Sequence, residues 1–74
     1  FHQKMAICIA QYMLNIYFDT PREVFWKKLP IDGILGPTTE KFLMEFQKLE
    51  KIFVTPQLTQ DTWNCLVRRQ LHID

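Results

Sequence analysis

Cysteine, histidine and the carboxylates are the residues of this chain that could do covalent or metal chemistry, and their spacing argues against both. Cys8 and Cys65 lie near opposite ends in no CxxC arrangement, and His2 and His72 sit close to the two termini. On one helix, Cys65 and His72 would stand about 10 Å apart along the axis, too far for one ion held about 2 Å from each ligand. The cysteines therefore read as small buried hydrophobes or free thiols, and no metal or other cofactor is expected. Glu40, Glu45 and Glu50 recur along one segment with lysines nearby. That is the pattern of solvated carboxylates paired along a helix face, not of a general base facing a nucleophile. No catalytic residue is expected, and the chain reads as a binding module.

A second candidate is the stretch DGILGPTT, residues 32 to 39, which holds both glycines of the chain, Gly33 and Gly36. Glycine accepts positive φ and close backbone approach, so the pair suits a tight turn leading into a helix. Pro37 fits the first helical position, where its missing N–H costs nothing; this places Gly36 at the N-cap and Thr39 at N3. Asp32 is placed to accept loop N–H groups in an Asx-type turn. A phosphate cradle is the sharper alternative, but no Lys-Ser or Lys-Thr follows the second glycine and no third glycine exists. A calcium loop fails as well, because the positions that should carry oxygen ligands after Asp32 are Ile34 and Gly36.

The elements that must position these residues are helical. From about His2 to Ile16, the residues Ile7, Ala10, Leu14 and Tyr17 mark one apolar stripe. From Pro37 to Lys51, Phe42, Leu43, Phe46, Leu49 and Phe53 are expected on the core side, with Lys41, Glu45 and Lys48 facing away. Behind Thr59 as N-cap, Trp63, Leu66, Val67 and Leu71 repeat to about Leu71. Between the first two helices, DTPREVFWKKLP is bracketed by prolines and reads as a loop with an apolar centre, Val24-Phe25-Trp26. Strand alternation is nearly absent; at most, residues around Ile31 to Leu35 and Gln57 to Leu58 would pair briefly. Three short amphipathic helices close a core by packing their stripes together, so the expected class is mainly α, a small three-helix bundle.

The 74 residues make one domain, and 47% apolar residues with 14% aromatic are enough to bury a compact core. Beginning at Phe1, the chain is expected to be a piece of a larger or processed protein. A formal net charge of +1 excludes nucleic acid as the main partner, even with Arg22, Lys27, Lys28, Arg68 and Arg69 present. No apolar run approaches the roughly 20 residues that span a bilayer, so no membrane insertion is expected.

The loop recurs. Asp32 to Thr39 aligns with Thr55-Pro56-Gln57-Leu58-Thr59-Gln60-Asp61-Thr62, turn on turn and threonine on threonine. Here the chain resembles the peptidoglycan-binding-like domains of bacterial and phage cell-wall enzymes. Their pattern is a first helix with Leu-Gln, a D-G-x-x-G-x-x-T loop, a helix ending in F-Q, and a second loop of the same kind closing in T-W. Gln11, then Asp32, Gly33, Gly36 and Thr39, then Phe46 and Gln47, then Thr62, Trp63 and Leu66 fall on that pattern over most of the chain. The chain departs from it at Lys51, where the family has glycine, at Phe42, where a small residue is usual, and in the long link after helix one. In the second loop, Thr55, Pro56 and Thr59 replace the signature aspartate and glycines.

The resemblance implies a three-helix module that binds peptidoglycan without catalysis and targets an attached or associated envelope protein or hydrolase to the wall, outside the cytoplasm. In that oxidising setting a Cys8–Cys65 bridge joins the open possibilities. A glycan with peptide stems needs hydrogen-bonding groups and an aromatic surface, for which Gln11, Trp26, Asp32, Gly33, Thr39, Gln47 and Trp63 are the candidates. Each has a structural alternative: Trp63 as core, Gln11 and Gln47 as caps of loop backbone, Thr39 bonding within its first turn, Trp26 as a lid on a small core. The other reading is a docking module that holds a partner protein or neighbouring domain through Val24, Phe25 and Trp26, flanked by Arg22, Lys27 and Lys28.

Overall fold

The computed structural model describes residues 3 to 18 and 28 to 71; Val24, Phe25 and Trp26 lie outside the described residues. Three helices follow in order: α1 (Lys4–Phe18), α2 (Pro37–Leu49) and α3 (Gln60–Leu71), with no strand among the described residues. The brief pairing around Ile31 to Leu35 and Gln57 to Leu58 does not form. Both stretches instead have their backbone groups tied to a helix by a side chain, as set out below.

The core is built where the stripes meet. Ala10, Met13, Leu14 and Phe18 of α1, Phe42, Leu43 and Phe46 of α2, and Cys65 and Leu66 of α3 are buried together, with Leu29 and Leu58 brought in from the loops. Aromatic edges lock α1 to α2. Tyr17 stands edge-on to Phe46, with centroids 4.7 Å apart, and Phe18 edge-on to Phe42 at 5.6 Å, the geometry the ring quadrupole favours. Phe42 thus fills the space that a small residue would leave open, by meeting an aromatic partner on α1.

Two expectations on α2 need correction. The helix stops at Leu49, and Leu49 and Phe53 face solvent, at 56% and 79% exposure, instead of the core. The reason lies in the helix end. Glu50 is the C-cap, Lys51 takes a left-handed φ of 60°, the Lys51 N–H returns to the Lys48 carbonyl and the Ile52 N–H to the Gln47 carbonyl. This is a Schellman turn, which ends the helical period before it reaches residue 53. Ile52 packs against the core in place of Phe53.

A segment outside the helices is tied down by a residue not singled out from the sequence. Asn15 donates through Nδ2 to the Leu29 carbonyl at 2.9 Å, and its Oδ1 accepts the Leu29 N–H at 2.6 Å. Both backbone groups of Leu29 are thereby satisfied while its side chain is buried, and the chain is delivered to the start of the glycine loop.

Candidate functional site

Around the first loop the geometry converges on Gln11. Its amide is fully buried on α1. Nε2 shares its two N–H groups among Asp32 Oδ1 at 3.0 Å, the Ile34 carbonyl at 3.1 Å and Thr39 Oγ1 at 3.0 Å, while Oε1 accepts the Gly33 N–H at 3.0 Å. Asp32 Oδ1 also accepts the Ile34 N–H at 2.9 Å, which is the Asx turn expected from the sequence. Asp32 itself is exposed. The Ile34 N–H first, and the Gln11 amide next, hold its carboxyl below the usual carboxylate range. Gly33 has φ of 73° and lies against α1, where an added Cβ would collide with the Lys4 side chain and come within 3.0 Å of Cys8 Sγ.

Gln47 repeats this on α2. It is fully buried, its Nε2 donates to Thr62 Oγ1 at 3.0 Å and the Gln57 carbonyl at 3.3 Å, and its Oε1 accepts the Thr55 N–H at 2.7 Å. Thr62 corresponds to Thr39 and Gln57 to Ile34. Two things change: Thr55 stands in place of Asp32, so the bond from the amide to a carboxylate has no counterpart, and Pro56, which has no N–H, takes the position of Gly33, so the bond to Oε1 moves back to the Thr55 N–H. The second loop has therefore lost the Asp-Gly chemistry and kept the glutamine that pins it. Its helix start has gained a cap, since Thr59 Oγ1 accepts the Thr62 N–H at 3.2 Å, whereas Gly36 has no side chain with which to cap α2.

The sequence candidates thus divide. Gln11, Thr39, Gln47 and Thr62 are the buried polar residues of the core, and no buried side-chain polar atom among the described residues lacks a partner. Their hydrogen bonds run to the loops, the capping role that stood as the alternative for the glutamines. Trp63 is half-buried against the core. Asp32 alone of the polar set presents its side chain to solvent, and Trp26 lies outside the described residues.

Beside the first loop is an open groove of roughly 200 Å³, lined by Tyr12, Asn15, Ile16, Lys28 and Ile31. Tyr12 is 55% exposed and Ile31, which precedes Asp32, is 50% exposed. The groove therefore offers an aromatic face, an apolar wall and one cation. The sequence signal for it was present in α1, where Met5, Ile9, Tyr12 and Ile16 recur at helical spacing on a face other than the buried one.

A second polar cluster sits at the far end of α2. The Glu50 side chain, only 8% exposed, accepts from Tyr17 Oη at 2.7 Å, from Arg69 Nε at 2.9 Å and Nη2 at 2.8 Å, and from Cys65 Sγ at 3.4 Å. The expectation of a solvated Glu50 paired with lysine is corrected: the carboxylate turns inward and joins α1 to α3. Burial pushes it up, but the hydrogen bonds from Arg69, Tyr17 and Cys65 outweigh burial and hold it below the usual carboxylate range. Burial, then the bond to Glu50, pushes Tyr17 up to about 12 and raises Cys65, so this thiol is a poor nucleophile at neutral pH. Both cysteines are free. Among the described residues no group of three His, Cys, Asp or Glu side chains could hold a metal ion, and no helix is long and apolar enough to cross a membrane.

Compared with protein-family models, curated proteins and solved structures, the chain gives no match.

Proposed function

We propose that this domain is a non-catalytic binding module for bacterial cell-wall peptidoglycan that works in the cell envelope, outside the cytoplasm, and brings an attached or associated protein to the wall. What supports the reading is the twice-used glutamine-loop-threonine unit, which follows the pattern the sequence resembles, and above all the groove beside its first loop. The flat face of a sugar carries weakly positive C–H groups that stack on the negative π-face of an aromatic ring, here Tyr12. The acidic stem peptides of the glycan would meet the Lys28 ammonium, while Asp32, ionised at neutral pH, would accept hydrogen bonds from hydroxyl or amide groups. The volume is below the range of about 300–1,000 Å³ of drug-sized sites. It suits one sugar ring or stem residue of a polymer.

Co-sedimentation of the 74-residue chain with purified, insoluble peptidoglycan sacculi tests this. Saturable binding is expected, weakened about tenfold, or about 1.4 kcal/mol, in a Tyr12→Ala, Lys28→Ala variant that circular dichroism shows to be folded. If the folded wild-type chain stays in the supernatant, wall binding is wrong and the protein-docking role remains.

A further inference from the structure

The turn that ends α2 displays more apolar surface than folding requires. Phe53 is 79% exposed, with Leu49 at 56% and Val54 at 45% beside it in sequence. The backbone sets their direction, because the Schellman turn places Lys51 in a left-handed conformation and sends Ile52 inward and Phe53 outward. A glycine at position 51 would hold the same turn with less strain, so the chain keeps a lysine there against its backbone preference. Within residues 48 to 54 the exposed charge is of one sign. Lys48 and Lys51 are exposed, and among the described residues neither has an ion-pair partner. The one carboxylate between residues 48 and 54, Glu50, is turned inward onto Arg69 and Tyr17.

We propose that this turn is a docking surface for a partner protein that presents an acidic segment carrying aromatic or aliphatic side chains, with Phe53 as the anchor and Lys48 and Lys51 as the charged flank. An exposed aromatic residue is the type that anchors interfaces, and the lysines steer an acidic partner. An anionic bilayer is the weaker occupant, since binding to it takes clusters of about four to eight basic residues and this turn carries two. A further copy of the same chain is disfavoured by charge, because its groove carries Lys28, of the same sign as the turn. The surface shares no residue with the groove assigned to the wall, so the two proposals stand or fall separately.

The test is selection of a phage-displayed random peptide library on the 74-residue chain, with a Lys48→Glu, Lys51→Glu variant as counter-target. Recovered peptides are expected to combine Asp or Glu with aromatic or aliphatic residues, and to bind about tenfold more weakly to the double variant and to Phe53→Ser. Phe53 is so exposed that Phe53→Ser should keep the wild-type circular dichroism spectrum. Lys51→Gly, which keeps the turn and Phe53 but removes one of the two flanking charges, should bind more weakly than the wild type and more tightly than the double variant. No recovery, or peptides that bind Phe53→Ser as tightly as the wild type, would overturn the proposal. So would Phe53-dependent co-sedimentation with phosphatidylserine and phosphatidylcholine vesicles, or Phe53-dependent self-association at sedimentation equilibrium.

Discussion

Lys51 adopts the backbone conformation that glycine adopts at the end of many helices, with φ of 60°. A left-handed residue with a Cβ costs about 1–2 kcal/mol, partly offset because lysine loses less backbone freedom than glycine on folding. Lys51→Gly should therefore stabilise the domain by about 1 kcal/mol and raise Tm by about 4–8 °C, read by thermal unfolding. An unchanged or lower Tm would mean that the lysine side chain holds the turn by a contact of its own. This site was half legible in the sequence. Lys51 stood out where a glycine was expected, but whether the turn would change shape or accept the strain depended on Ile52 finding a place against the core. Gln11 and Gln47 were legible as a matched pair, yet a buried loop-pinning amide and an exposed ligand-binding one are written with the same letter. Only the packing of each loop over its glutamine separates them.

Among the elements, the two loop-to-helix units show how much local signal is needed for one shape. The sequence predicts Gly36 at the N-cap, Pro37 at N1 and Thr39 at N3, and the structure has all three. The two glycines are nevertheless unequal. Gly33 needs its positive φ and its close approach to α1, whereas among the described residues a Cβ at Gly36 would meet only Ile34 Cγ2, at an ordinary 3.9 Å. Gly33→Ala should cost about 2 kcal/mol, through strain and the clash with Lys4 and Cys8. Gly36→Ser should instead add a few tenths of a kcal/mol, roughly the margin by which serine exceeds glycine as a cap. Urea denaturation of both variants checks the pair, and a loss of similar size at Gly36 would show that the loop needs glycine twice. The second loop folds without either glycine because Gln47 and the Thr59 cap carry it, a substitution no motif search would recognise as equivalent.

At the scale of the whole molecule, Glu50 is the residue that joins all three helices, and it sets a pH dependence. Its carboxyl is held below the usual range in the folded state, so as pH falls the unfolded chain takes up the proton first. The stability Glu50 contributes is fully present above the ordinary glutamate value of about 4.3 and is lost as pH falls through its lower folded value. Tyr17 has the opposite sign. Raised to about 12, it supports the fold below the ordinary tyrosine value of about 10 and loses that contribution as pH rises towards 12. Glu50→Gln should flatten the acid limb of stability measured by urea melts at several pH values. It should also lower the Tyr17 phenol titration followed by ultraviolet absorbance, though not to the ordinary value, because burial is the larger cause. A Tyr17 titration unmoved by Glu50→Gln would break this account of the joint.

The sequence by itself determined the class, the three helices, the two loop starts and the matched glutamines, because each rests on periodicity, capping and turn preferences that act over a few residues. Tertiary structure alone decided that Glu50 turns inward, that Phe53 turns outward, that Asn15 holds Leu29, and that Tyr12, Lys28 and Ile31 share a groove. Those outcomes depend on which residues distant in the chain meet, and charge or hydrophobicity alone does not say which way a side chain at a helix end will face.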